Sequence, residues 1–409
     1  MATILKNAGH DVNVIEESIK KVDVTKVDSD VVCLSMLTWN AKRGYELASQ
    51  IKKLNPKTKV IIGGMHASMM PEEAIKYADT VVVGEGESVI KDVIDGKIVD
   101  KIVKAGHFNN LNDLPFPDFS LVDEFKPDIY PISTSRGCPC DCNFCSVVAV
   151  FGRRYRFRNV DNVINELVGI KPKNLYIYDD NFCALKDRAK EILRKIYANG
   201  IKLDFLFINS RLDIAHDEEL MNLLSKPKIS VLEAGIESIN PVTLKNFNKE
   251  QKITDIEHCV KTLKDYGIIL YTGFVIGSDS DNNETIKNTL DFCIKNDIDF
   301  PSFHILTPFP GTKIYQELES EKRIFTKDWN MYDLYRCVFY PKNFTPYELQ
   351  MRVLNMWKEF YSMKRNLSKL LRESIIKTVF RFKLNRIIKN TVKQSKDFSE
   401  ELERVSRNR

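Results

Sequence analysis

Apolar and polar positions near the start of the chain switch repeatedly between helical spacing and short unbroken apolar runs. "ATILKNAGHDVNVIE" reads as a helix closed by Gly9, then a strand around Val12 to Ile15. "DVVCLSML" is an apolar run of strand length, and "AKRGYELASQIKKLN" carries apolar residues at helical spacing up to Pro56. "KVIIGG" predicts the next strand. "PEEAIKYA" predicts a short helix opened by Pro71, whose missing N–H costs nothing in a first turn. "DTVVVGEGE" predicts a strand that runs into a glycine turn. Short β-rich runs separated by helices imply an α/β fold with a parallel sheet of the doubly wound kind. Ligands of such sheets meet the carboxyl ends of the strands, here "SMLT", "GGMH" and "GEGE".

The series opens inside a helix with no strand ahead of it. Residues 1–104 therefore read as a domain lacking its first strand. Met1 would be a truncated or mis-assigned start, unless the domain dispenses with that strand. Residues 105–131, with "LPFPDFS" inside, read as a linker broken by Pro115 and Pro117. A second βα series spans 132–325, with strands "PISTSR", "NLYIYDD", "DFLFINS", "VLEAGIES", "LYTGFVIG" and "FHILTPF". Six strand–helix units in one direction suggest a partial (β/α)6 barrel with chemistry at its carboxyl-terminal edge. Residues 326–409 read as a helical, increasingly basic extension.

Composition adds little to this picture except at the tail. The 409 residues are 43% hydrophobic and 29% charged, ordinary for a soluble globular protein. No apolar run is long enough to span a bilayer, and no basic-then-apolar leader follows Met1, so a cytoplasmic protein is expected. Of the net charge of +5, Lys364–Arg409 alone holds fourteen basic against five acidic residues. The body is thus slightly acidic, and nucleic-acid binding is not expected of it. Within the tail, "RESIIKTVFRFKLNRIIKNTVKQ" alternates apolar and basic residues at helical spacing. It reads first as a helix packed on the barrel, and secondly as a peripheral contact with anionic lipid.

The nine cysteines are odd in number and unevenly spread, which argues against a disulfide framework. Cys33, Cys183, Cys259, Cys293 and Cys337 are scattered singly and read as small buried side chains. The other four crowd into "TSRGCPCDCNFC", directly after the first barrel strand. Alternate spacing at Cys138, Cys140 and Cys142 is poor geometry for one tetrahedral ion. Cys138, Cys142 and Cys145 taken alone give C-x3-C-x2-C. Three thiolates can hold three irons of a cubane cluster and leave the fourth open, with Cys140 as a bystander.

That spacing after a first barrel strand, with Phe144 just before the last cysteine, resembles the radical S-adenosylmethionine (SAM) superfamily. The resemblance implies a [4Fe-4S] cluster whose open iron chelates SAM. One electron then cleaves SAM to methionine and a 5′-deoxyadenosyl radical that abstracts hydrogen from substrate. It further implies that Phe144, Asp179 and Asp180 of "YDDN", Glu237 and Ser238 of "AGIES", and Gly277 of "GFVIG" meet SAM. Read without the resemblance, the Asp pair is a helix cap and turn. Glu284 in the following helix and the Pro308 to Thr312 stretch of "LTPFPGTKIY" resemble further family elements. Arg153, Arg154, Arg156 and Arg158 read equally as solvated surface charge or as groups that neutralise the cluster or the SAM carboxylate.

A Rossmann-like domain ahead of such a barrel resembles the cobalamin-binding subgroup. Ser35 and Leu37, Gly63 and Gly64, and Gly84, Glu85 and Gly86 are the implied cobalamin-binding positions. The Asp-x-His-x-x-Gly loop of some members is absent, and His10 and His66 read as turn or surface residues. The resemblance is to the group of hopanoid methylases and the anaerobic magnesium-protoporphyrin cyclase. It implies a cobalamin-dependent methyltransferase in which one SAM methylates cob(I)alamin and a second yields the radical. A flavodoxin or ferredoxin would donate electrons, and a small molecule or lipid would be substrate. A cyclase or oxidoreductase, or a non-catalytic cobalamin or iron–sulfur sensor, are the alternatives. A methylthiotransferase would need three further cluster cysteines in the first domain, where only Cys33 exists.

Overall fold

The computed structural model describes residues 1–362 and, after them, Phe398, Leu402, Glu403, Val405 and Ser406. The basic stretch within Lys364–Arg409 lies outside the described residues apart from those five. Among the described residues, no helix is long and apolar enough to cross a membrane.

The first sheet holds four parallel strands in chain order: β1 (Val31–Ser35), β2 (Lys59–Gly63), β3 (Thr80–Gly84) and β4 (Ile102–Gly106). Three of these follow the apolar runs of the sequence. β4 escapes that reading because Lys104 faces solvent in mid-strand. The strand expected at Val12–Ile15 is reduced to one bridge, Val14 to Val122, which ties this stretch to the linker. Helix Ala41–Leu54 buries Ala41, Tyr45, Leu47, Ala48 and Ile51 on one face, as its spacing requires, and ends before Pro56.

The expected strand "PISTSR" divides in two. β5 (Tyr130–Ile132) enters the second sheet, whereas β6 (Ser135–Arg136) turns away to pair antiparallel with β7 (Arg156–Phe157). This short ladder clamps both ends of the cysteine loop. β5 is joined by β8 (Asn174–Ile177), β9 (Phe205–Asn209), β10 (Ile229–Glu233), β11 (Ile269–Ile276) and β12 (Phe300–Ile305), all parallel and in chain order. β5 and β12 remain at opposite edges, so the barrel is open, as the six units predicted. Helices cover the outer face, where Ile177, Ile208, Leu232 and Leu270 belong to the main core.

Residues after the barrel join the two sheets. Tyr315, Trp329, Tyr332 and Val338 share a core with Met36, Tyr45, Ile62 and Val81 of the first domain. The indole Nε1 of Trp329 donates to Glu73 Oε1 at 2.7 Å. Helix Pro346–Phe360 opens on a capping box between Thr345 and Glu348, with Pro346 at its first position. Its Trp357 donates to the Phe303 carbonyl of β12 at 2.7 Å, which holds the helix on the barrel edge.

Candidate functional site

The cysteine loop leaves β6 through Gly137, and two adjacent aspartates at the end of β8 hold its base. Asp179 is 1% exposed, and its two oxygens accept four hydrogen bonds. These come from the N–H and hydroxyl of Thr134 at 2.6 and 2.5 Å, and of Ser135 at 2.9 and 2.7 Å. Burial pushes its carboxyl pKa up against the pull of those donors. A carboxylate so fully engaged has no acceptor capacity left for the SAM ammonium. In this structure Asp179 anchors the strand turn. Asp180 differs: one oxygen accepts the Gly137 N–H at 2.8 Å, and the residue is open to solvent.

Of the four thiols, Cys142 is buried and the other three are half-buried. The Asn181 amide donates to Cys138 Sγ at 3.7 Å. Cys145 stands at the amino end of helix Ser146–Phe151, where the Val147 and Val148 N–H groups reach its sulfur. Burial pushes the Cys142 thiol up to about 11. Cys140 is drawn down to about 6 by its hydrogen bond with Cys138, helped by Arg211, whose Nη1 lies 3.3 Å from its sulfur. Among the described residues, no three His, Cys, Asp or Glu side chains converge on a single ion. The donor set nonetheless fits a cluster, in which each thiolate takes its own iron and amide donors bond the sulfurs. Cys138, Cys142 and Cys145 would be those ligands.

Beyond the loop lies Glu237, whose left-handed backbone (φ 67°) is rare outside glycine. Its carboxylate folds back into the space that a Cβ on Gly235 would fill, and pairs with half-buried Lys249 at 3.0 Å. Burial works against the Lys249 charge, but Glu237 and the Cys142 sulfur outweigh it and hold its pKa above the usual value. Lys249 and Arg211, both beside the cysteines, went unassigned in the sequence. Each sits in an ordinary polar stretch, and only the fold brings it to the loop.

The remaining SAM candidates divide. Phe144 is half-buried, its ring 4.9 Å from that of Phe247. Ser238 is buried and accepts the Asn240 N–H at 3.0 Å, which shapes the turn after Glu237. At Gly277 a Cβ would meet Leu349 Cδ2 at 2.7 Å, so the glycine admits the carboxyl-terminal helix. Glu284 is exposed on the first turn of its helix. Gly311 faces Met69 and Ala149, at the seam between the first domain and the cysteine loop.

In the first domain, Ser35 and Gly63 are level partners at the ends of β1 and β2, and Gly84 ends β3. Ser35 is exposed, while Leu37, Gly63, Gly64 and Gly84 are half-buried. Gly64 has φ 93°, and a Cβ there would meet the Met36 N and O at 2.7 Å. Glu85, named above for cobalamin, couples the two domains in this structure. It is 6% exposed and held by Arg156 through two bonds of 2.6 and 2.7 Å, by Arg136 at 3.3 Å and by the Phe108 N–H. Burial opposes its charge, but these donors prevail and keep its pKa below the usual carboxylate value. Gly86 is buried beside Val82, and Glu87 pairs with Arg136 at 2.8 Å.

Neither reading of the arginines fits all four. Arg156 serves Glu85, Arg158 pairs with Glu166 at 2.7 Å, and Arg153 and Arg154 are exposed. His10 meets Asp95 at 3.2 Å in a half-buried pair. His66, expected in a turn or on the surface, is 1% exposed between Thr38, Glu73 and Trp329. Cys183, Cys259, Cys293 and Cys337 are buried as expected, but Cys33 is exposed on edge strand β1.

The family models for the Radical SAM superfamily and the B12 binding domain match residues 132–293 and 1–94. Bacteriochlorophyllide d C-12(1)-methyltransferase of Chlorobaculum tepidum is 30% identical, over 81% of this chain and 75% of that protein. Anaerobic magnesium-protoporphyrin IX monomethyl ester cyclase of Rubrivivax gelatinosus is 27% identical, over 86% of this chain and 69% of that protein. The radical S-adenosylmethionine methyltransferase TsrM from Kitasatospora setae, solved with cobalamin and a [4Fe-4S] cluster, superposes with a TM-score of 0.63. The two share 18% identity, over 78% of this chain and 71% of TsrM.

Proposed function

We propose that this chain, which belongs to the radical SAM enzymes that carry a B12-binding domain, transfers a methyl group to an unactivated carbon of a small molecule. The carrying observation is the junction of the two sheets. The turn after β3 is ion-paired through Glu85 and Glu87 to Arg136 and Arg156, the residues that flank the cysteine loop. When bound, the cluster supplies the electron that cleaves SAM to a carbon radical, and cobalamin serves as methyl carrier.

The chain's own residues have separable tasks. Cys138, Cys142 and Cys145 hold the cluster, and Asn181 and the helix amides tune its sulfurs. Asp180 and Glu237 offer carboxylate oxygens on the SAM side, and Lys249 fixes the orientation of Glu237. Ser35, Leu37, Gly63, Gly64 and Gly84 present the strand ends to cobalamin. The working division is residues 1–104, a linker 105–131, the barrel 132–325 and a carboxyl-terminal region 326–409. A flavodoxin- or ferredoxin-type protein would reduce the cluster, and the basic tail would supply any contact with lipid. A cyclase or oxidoreductase is the second reading, favoured by the likeness to the magnesium-protoporphyrin cyclase.

Anaerobic reconstitution with iron, sulfide and hydroxocobalamin tests the proposal. The reduced wild type should convert SAM to 5′-deoxyadenosine, and Cys142→Ala should fall to background. Equal formation by both, or none by the wild type, would reject it. With substrate supplied, a product heavier by one methyl group separates methyl transfer from cyclisation.

A further inference from the structure

Asn209, Glu233 and Tyr271 are level partners on β9, β10 and β11, so their side chains leave the same face of the sheet. That face is the concave one, since the alternate residues Ile208, Leu232 and Leu270 lie in the helix-covered core. Two residues lower, Phe207, Val231 and Ile269 form a level apolar row and pack with Phe300 into a floor. Beyond the end of β10 the chain continues to Gly235 and to Glu237, which pairs with Lys249 beside the cysteines. Glu233 therefore stands between an apolar floor and the cluster side, about 7 Å along the strand from the floor row.

Glu233 departs from the pattern that the molecule keeps elsewhere. A buried or half-buried carboxylate is stable when donors or a cation engage it. Glu166 has Arg158, Glu85 has Arg156, Glu237 has Lys249 and Asp179 has four donors. Glu233 is half-buried on the concave face; burial raises its pKa first, the charge of Glu237 adds to the rise, and no hydrogen bond or cation among the described residues offsets either. Its level neighbour Asn209 is also unfinished. Asn209 donates to the Tyr176 hydroxyl at 3.3 Å while its own Oδ1 is buried without a partner.

We propose that Glu233 anchors the substrate, and that it selects a molecule bearing an ammonium or other N–H donor on an apolar frame. The donor completes the carboxylate, and the frame rests on Phe207, Val231 and Ile269. This assignment rests on the methyltransferase reading for its place in the reaction, but its test does not require turnover. Glu233 is a binding and specificity residue in this account.

Benzylamine, benzyl alcohol and benzoate serve as probes of equal frame and different head group, titrated by calorimetry into the reconstituted, SAM-loaded full chain. Benzylamine should bind about tenfold or more tightly than the other two, the size of effect expected of a charge-assisted bond. Glu233→Gln should abolish that preference while still binding SAM, and Glu233→Asp should retain it in weakened form. Equal binding of the three probes, no binding of benzylamine, or a preference that survives in Glu233→Gln would overturn the proposal. So would loss of SAM binding in Glu233→Gln, which would make Glu233 part of the SAM site. A chain that binds benzylamine through Glu233 but transfers no methyl group would refute the reaction and leave this assignment standing.

Discussion

The turn after β3 and the cysteine loop meet at Glu85, Arg136 and Arg156, yet they treat their polar atoms in opposite ways. In the turn the protein completes its own chemistry. Glu85 is saturated by arginines, and the Gly84 N–H is taken by Ser68 Oγ at 3.0 Å. In the loop, thiols, the open Asp180 and nearby Glu233 are left with capacity to spare. Family motifs occur in both regions, so a motif by itself does not separate a ligand site from a structural joint. Unspent hydrogen-bonding and ligating capacity does.

The sharpest way to break this contrast lies within one dipeptide. Asp179→Ala orphans four buried donors and should lower the unfolding free energy by about 4 kcal/mol, read by denaturant titration. Asp180→Asn keeps an acceptor for Gly137 and should cost less than about 1 kcal/mol, while SAM affinity falls. If the two variants exchange these effects, the assignment of the pair is reversed.

Gly64→Ala comes next, at about 3 kcal/mol, because a side chain at φ 93° is strained and would press on the Met36 backbone. A loss of cobalamin affinity without a loss of stability would instead place Gly64 against the ligand.

Glu85→Gln should cost about 2 kcal/mol at neutral pH, since the amide keeps hydrogen bonds but not the charge opposite Arg156. Its pH dependence carries a sign. The folded pKa of Glu85 is lowered, so its contribution is complete above the unfolded carboxylate value of about 4.3. That contribution disappears as pH falls through the lower folded value. Wild type should therefore lose more stability than Glu85→Gln in that acid window. Parallel pH profiles would show that the ion pair does not hold the domains together.

Periodicity in the sequence located all six barrel strands and three of the four strands in the first sheet, because burial on one or both faces writes itself into apolar spacing. It missed β4, whose exposed lysine interrupts the run, and it did not foresee that the chain breaks one strand into two at Ser133 and Thr134. Cysteine spacing marked the loop directly. The residues around it were legible only in part, since Lys249 and Arg211 reach the loop through tertiary contacts that leave no local pattern. Asp179 and Glu85 carried the right residue type in the right place, and the fold spends both on itself.

If three of the four crowded thiols ligate a cluster and leave one iron open to SAM, electron paramagnetic resonance of the anaerobically reconstituted, dithionite-reduced chain should show it. A cluster signal is expected that SAM perturbs, that Cys140→Ala retains and that Cys142→Ala loses. A signal unmoved by SAM, or lost as fully in Cys140→Ala as in Cys142→Ala, would rule that ligand set out.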